Sequence, residues 1–172
     1  MPILYDSQEQ VEVFRFSLPT AIFVPLAALF LQAFVPLRLS WFAMFDLPLL
    51  VVIFFSIARR SQVSGLLTGA AIGLLQDSLT HQPIGLYGIA KTVVGYTASS
   101  LGAKIDVENV GARFLGTTLF YLLHEFIYFV VARGMVRLDQ HWLWSHEMLA
   151  AVANGLLAVA LFAVLDRLKQ RT

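Results

Sequence analysis

The chain contains no cysteine among its 172 residues. This absence excludes disulfide bonds, metal sites built from thiolates and catalysis by a cysteine nucleophile. Charged residues are also scarce, since Asp, Glu, Lys and Arg together make up 13% of the chain, against about 25% in an average soluble domain. The net charge is only +1, so the chain lacks the excess of basic residues that is typical of nucleic-acid-binding proteins. The composition therefore excludes a separate soluble domain and argues against a nucleic-acid-binding protein.

The sequence motifs of common enzyme classes are missing as well. There is no P-loop, no GxGxxG fingerprint and no nucleophile elbow. His124-Glu125 begins an HExxH zinc-protease pattern, but Tyr128 stands where the second metal-binding histidine is required. The sequence therefore predicts a protein that is not an enzyme and has no cofactor and no metal. The alternative is a membrane enzyme that uses His124 and Glu125 in acid–base chemistry.

Apolar residues are what the chain has in excess, at 58% of the total. A membrane-spanning helix needs about 20 mostly apolar residues, and six stretches qualify. They predict an all-α, polytopic membrane bundle, formed as one domain by residues 1–172, with transmembrane helices at Ser17–Leu37, Trp41–Ala58, Gln62–Thr80, Ile84–Ala103, Val110–Arg133 and Glu147–Leu168. Pro25 and Pro48 lie inside the first two spans, where a proline removes a backbone donor and should kink the helix.

The basic residues predict the orientation of this bundle, because cytoplasmic loops carry an excess of Lys and Arg. With the N-terminus inside, the cytoplasmic side has Arg15, Arg59, Arg60, Lys104, Arg113, Arg167, Lys169 and Arg171. The other side has only Arg38, Arg133 and Arg137. We therefore expect both termini to be cytoplasmic.

Two stripes of small residues predict that the third and fourth spans pack backbone to backbone. In the third span, every fourth position is small or polar, at Ser61, Gly65, Gly69, Gly73, Asp77 and His81. In the fourth, spacings of three and four residues connect Gly85, Gly88, Thr92, Gly95, Ser99 and Gly102. Small residues allow close approach of helices in lipid. The predicted helix-packing positions are Gly65, Gly69, Gly73, Gly85, Gly88 and Gly95.

Polar side chains within the spans are candidates for function, because a charge at the bilayer centre costs about 2.5–3.5 kcal/mol on insertion scales. The candidate contacts to a partner or a ligand are Asp77, Lys91, His124, Glu125 and Asn154. In the predicted orientation, most of these residues lie in the outer halves of their spans, as does Asp46. The sequence therefore predicts an outward-facing polar cluster.

Structural roles are open for the same residues. Asp77 can cap the turn that follows it, and Lys91 can extend toward the membrane surface or pair with Asp77 or Asp46. Asp46, near the end of a span, is expected to be solvated. Asn154 is expected to form a hydrogen bond to a neighbouring helix.

Three short motifs in the third and fourth spans resemble those of a known protein family. They are Gly73-Leu74-Leu75-Gln76-Asp77, Pro83-Ile84-Gly85 and Gly95-Tyr96, and Arg59-Arg60 precedes them. In these motifs, in length and in the six-span layout, the chain resembles the MreD family of bacterial rod-shape-determining proteins. The stretch that carries these motifs covers about a quarter of the chain, and the remainder agrees in length and hydropathy.

The resemblance implies a scaffold in the bacterial inner membrane. MreD proteins act with MreC, the MreB filament, the glycosyltransferase RodA and its partner class B transpeptidase in peptidoglycan synthesis for cell elongation. Membrane lipid is the other expected partner, since it surrounds the helices. Their fold is similar to that of the substrate-binding subunits of energy-coupling-factor transporters. A small-molecule-binding subunit of a membrane transporter is therefore the alternative function. The first span weakens that alternative, because it lacks the Ala-x-x-x-Ala motif through which such subunits dock.

Overall fold

The computed structural model describes residues 16–102, 109–139 and 141–168. Within these ranges the chain forms six α-helices, α1 (Leu18–Phe34), α2 (Leu47–Arg59), α3 (Gln62–Thr80), α4 (Leu86–Gly102), α5 (Val110–Gly134) and α6 (Trp144–Leu165). Short 3-10 helices cover Val35–Leu37, Ser40–Met44 and Asp166–Leu168, and these ranges contain no strand. The predicted all-α bundle is confirmed. The predicted end of the fourth span at Ala103 and four of the counted cations, Arg15, Lys104, Lys169 and Arg171, lie outside the described residues.

Four helical stretches are long and apolar enough to cross a membrane. They are Leu18–Leu37, Ser40–Arg59, Val110–Gly134 and Trp144–Leu168. Neither α3 nor α4 is among these four, because glycine, serine and threonine replace large apolar residues along their small-residue stripes, and α4 has only 17 residues. The fold is thus a helical membrane bundle, and the assignment of α3 and α4 as spans stays a prediction.

The centre of the bundle is α2. Every residue from Pro48 to Ser56 is buried, and the helix contacts each of the other five. A helix that is apolar on all sides is a core helix. In contrast, α1 lies at the periphery, where Phe23 and Phe30 are exposed.

The second predicted span is interrupted rather than continuous. The 3-10 helix Ser40–Met44 ends before α2 begins, and the backbone groups freed at this break are bonded by two amide side chains. Gln32 donates to Phe45 O and accepts from Leu47 N, while Asn154 donates to Met44 O. Such compensation is required because lipid offers no hydrogen bonds.

This interruption corrects the expectation for Pro48. The residue lies in the first turn of α2, where the missing N–H has no carbonyl to bond and the fixed φ suits the helix. Pro48 therefore starts α2 and does not kink it. Pro25 lies inside α1, as predicted.

The most extensive helix pair is α3 with α4. A Cβ built on Gly65, Gly69 or Gly73 would overlap the backbone of α4, and one built on Gly95 would overlap the carbonyl of Gly65. At Gly88 the added atom would meet side chains instead, with Leu74 Cδ2 at 2.9 Å. The two backbones are therefore in direct contact along the stripe.

Gly85 does not belong to this contact, so its assignment as a packing position is wrong. It precedes α4, and a Cβ built on it would have no atom within 4 Å. Its φ of 108° lies where a side chain is strained and glycine is not. Gly85 is needed for the turn between α3 and α4, not for close approach.

Candidate functional site: a buried polar cluster

The cluster begins at the interruption before α2. Asp46 is the N-cap of α2 and accepts a 3.0 Å hydrogen bond from Leu49 N through Oδ1. Its other oxygen, Oδ2, lies 2.5 Å from Nζ of Lys91. Lys91 is fully buried and Asp46 is 7% exposed. Lys91 is therefore paired with an acid. Asp46 is not solvated as expected, because the break in the chain makes it a buried helix cap.

The next two members come from α5. His124 Nε2 lies 3.2 Å from Lys91 Nζ, and His124 Nδ1 lies 3.1 Å from Glu125 Oε1. An ammonium group can only donate, so Nε2 accepts and the ring proton is on Nδ1, from which it donates to Glu125. The four side chains thus form one continuous line, Asp46–Lys91–His124–Glu125.

Asn154 connects α6 to this line. Its Oδ1 accepts a 3.0 Å hydrogen bond from Asp46 N, and its Nδ2 also donates to Ala150 O within α6. The expected bond from Asn154 to a neighbouring segment is present, although the partner is the start of α2 and the turn before it. The cluster therefore joins α2, α4, α5 and α6.

Two tyrosines that the sequence reasoning missed complete the cluster. The Tyr87 ring stacks on His124, with centroids 5.9 Å apart and planes 5° apart, and on Tyr128 at 4.9 Å. Lys91 Nζ lies 4.9 Å from the centroid of the Tyr87 ring, in a cation–π contact. Helical spacing could have found both, since Tyr87 is four residues before Lys91 and Tyr128 four after His124.

Asp77 is fully buried and forms a separate site. Its carboxylate accepts from the backbone N–H groups of Gly85 at 2.8 Å, Tyr87 at 2.9 Å and Gly88 at 3.1 Å. A carboxylate at a helix N-terminus satisfies donors that lack partners and interacts well with the helix dipole. Asp77 therefore caps the start of α4 and closes the turn between α3 and α4.

These contacts define what the arrangement can do. Each charged group of the line is bonded to another member, so the cluster stabilises the relative positions of four helices. No group of three or more His, Cys, Asp or Glu residues that could hold a metal occurs in the described ranges.

A family model described as rod shape-determining protein MreD matches residues 11–171. The chain belongs to the MreD family.

The match covers nearly the whole of this MreD chain, so its role is in determination of rod shape, at a membrane. No curated protein and no solved structure matches it. The motifs of the MreD resemblance have a visible structural role here, because Asp77 of the first bonds Gly85 of the second. Gly95 of the third contacts the α3 backbone, while Tyr96 is 45% exposed.

Proposed function

We propose that this protein is a non-enzymatic scaffold of the rod complex, the assembly that elongates the cell. In this role it links an MreC-like partner and the peptidoglycan synthase pair, a RodA-like glycosyltransferase and a class B transpeptidase, to cell-shape control. It acts with the MreB filament directly or through these partners. The family match over residues 11–171 carries the proposal.

The internal contacts support a structural role for the polar cluster. Lys91 and His124 are fully buried, and both are bonded to other side chains of the protein. A group used in this way holds helices together and is not presented to a substrate. The scaffold would therefore bind its partners through its outer faces.

Two outer surfaces are candidates for that binding. The first is the face of α1 that exposes large apolar side chains, including Phe23 and Phe30, which are 70% and 60% exposed. Helices associate in lipid through van der Waals packing of such faces. The second is the segment with Trp142 and Trp144, whose rings lie 5.5 Å apart. Aromatic side chains are frequent binding hot spots.

The described charges support insertion in the inner membrane with both termini cytoplasmic. Arg59 and Arg60 end α2, Arg113 is in the first turn of α5, and Arg167 follows α6. These residues share one end of the bundle. The opposite end has Arg133 near the end of α5, and Arg38 and Arg137 in the connections. The more basic end is expected on the cytoplasmic side.

The experiment is an affinity pull-down of the tagged full-length protein from native membranes in mild detergent, read by protein and small-molecule mass spectrometry. Recovery of MreC-like and RodA-like proteins is expected. Recovery of ATPase subunits, or of a stoichiometric small molecule other than a membrane lipid, would contradict the scaffold and favour the transporter subunit.

Surface variants make the pull-down specific. The Phe23→Ala/Phe30→Ala pair changes the α1 face, and Trp144→Ala changes the second surface. Leu119→Ala, at a position 66% exposed on α5, is the matched control. All should keep their thermal stability, because exposed side chains contribute little to it. Loss of the partner from one surface variant but not from the control identifies the contact, whereas retention by all of them would exclude both surfaces.

A further inference from the structure

A cavity lies between α2, α4, α5 and α6, at the end of the bundle away from the Asp46–Lys91 pair. Its walls are mostly apolar, with Phe54, Ala98, Phe120 and Phe162 among them. The space open to the centre of a water-sized sphere is about 40 Å³. One water needs about 10–15 Å³ on this measure, so the cavity has room for a short stretch of a hydrocarbon chain.

One polar group in this wall has no partner. Thr117 is 2% exposed, and its Oγ1 has no hydrogen-bond partner among the described residues. The next residue shows the usual arrangement, since Thr118 Oγ1 donates to Phe114 O, one turn back, at 2.8 Å. A buried hydroxyl without a partner is costly. Thr117 therefore indicates a ligand that accepts a hydrogen bond inside the cavity.

A second polar feature also lines the cavity. Arg113 Nη2 lies 2.6 Å from Asp166 Oδ2, at the start of α5 and the end of α6. Arg113 precedes Thr117 by four residues, so it lies about 6 Å nearer the end of the helix. The cavity thus has an Arg–Asp ion pair toward the helix end and a hydroxyl deeper in an apolar wall.

We propose that this cavity binds a glycerophospholipid, with one acyl chain between the helices. The apolar walls suit hydrocarbon. The guanidinium of Arg113 is bonded to Asp166, and its fork of N–H donors also matches the geometry of a lipid phosphate. The ester carbonyls of such a lipid lie below its phosphate, toward the chains, which is the position of Thr117 relative to Arg113. One ordered water fits less well, because it needs only about 10–15 Å³ of the 40 Å³ and would leave the apolar part of the wall without contacts.

Gly116 provides the test. It lines the cavity, and a Cβ built on it would have no atom within 4 Å, so the side chain of Gly116→Leu starts in open space and reduces the volume of the cavity. Gly134, at the end of the same helix, has equally open surroundings and is not part of the lining. Gly134→Leu is therefore the matched control. Both variants should fold with unchanged melting temperatures.

The measurement is native mass spectrometry of the full-length protein, reconstituted in nanodiscs of phosphatidylethanolamine and phosphatidylglycerol and released into mild detergent. We expect wild type and Gly134→Leu to retain one phospholipid, and Gly116→Leu to retain at least about fivefold less. Equal retention by the two variants, no retention by wild type, or enrichment from native membranes of a polyprenyl phosphate instead would overturn the proposal.

Thr117→Val tests the contact with the ester group. The change keeps the shape of the side chain and removes the hydroxyl, so retention of the phospholipid should fall several-fold. Thr118→Val removes a hydroxyl that is already bonded within the helix, and its retention should match wild type. Equal retention by these two variants would overturn the role of Thr117.

Discussion

Nζ of Lys91 lies 2.5 Å from Oδ2 of Asp46, although the two residues are 45 positions apart in the chain. The contact ties α4 to the N-terminus of α2, the central helix. Since Lys91 is fully buried and Asp46 nearly so, neither charge can be compensated by water. In the folded protein, a charge on either residue is therefore stable only when the other residue carries the opposite charge.

Lys91→Met is expected to destabilise the protein strongly. The apolar chain keeps most of the volume of lysine but leaves the Asp46 carboxylate buried without its cation, which costs about 3–5 kcal/mol. Thermal unfolding of the purified protein in detergent measures the loss.

The control for this prediction is the double variant Asp46→Asn/Lys91→Met. It removes both charges, and asparagine still caps α2, since its side-chain oxygen can accept from Leu49 N. We expect the double variant to recover more than half of the stability lost in Lys91→Met. A single variant as stable as wild type would show that the ion pair contributes nothing.

Gly69→Ala tests the contact between α3 and α4. The added Cβ would overlap the carbonyl of Lys91, so the helices must separate, at a cost of about 1–3 kcal/mol. The matched control is Gly134→Ala, where no atom lies within 4 Å of the added carbon and alanine favours the helix. Melting temperatures should fall for the first and stay or rise for the second. The same value for both variants would contradict direct backbone contact.

Asp77→Asn should destabilise the turn between α3 and α4 with little effect on membrane insertion. The carboxylate accepts three backbone N–H groups, whereas the amide keeps one oxygen acceptor and turns a donor toward these donors. We expect a loss of about 1–3 kcal/mol. Asp139→Asn is the control, because the Asp139 side chain is 93% exposed. Insertion is read from the membrane fraction and stability from thermal unfolding; equal melting temperatures would exclude the cap.

Gly85→Ala and Gly85→Leu should lower stability by the same amount. At a φ of 108° any side chain is strained, at about 1–3 kcal/mol, but no neighbouring atom lies within 4 Å of the added carbon. The size of the side chain therefore has no further effect. Thermal unfolding of both variants checks this. A much larger loss for leucine would show that Gly85 is a close-packing position between α3 and α4, as the small-residue stripe predicts.

Some features of the site could be predicted from particular residues. The depth of Lys91 in an apolar stretch required a partner, because an isolated charge in lipid is costly. The sequence could not show whether Asp77 or Asp46 is the partner of Lys91, since this depends on which carboxylate is already bonded to other donors. Asp77 is occupied by three backbone donors of α4, and only the position of α2 shows that Asp46 faces Lys91.

The interruption before α2 shows a similar limit. Hydropathy predicts a continuous second span, because Ser40–Met44 is itself apolar. The break becomes possible only when Gln32 of α1 and Asn154 of α6 bond the freed backbone, and these residues are distant in sequence. No local pattern signals it.

The sequence by itself determined the all-α membrane class, the approximate helix positions and the close approach of α3 and α4. These depend on composition and on spacing within one helix, which are local properties. Only the tertiary structure decided that Asp46 pairs with Lys91, that Asp77 caps α4, and that Thr117 faces a cavity without a partner. Those outcomes depend on which faces of distant helices pack together. In an apolar environment, a buried polar group is stable only where a neighbouring helix provides its hydrogen-bond or ion-pair partner.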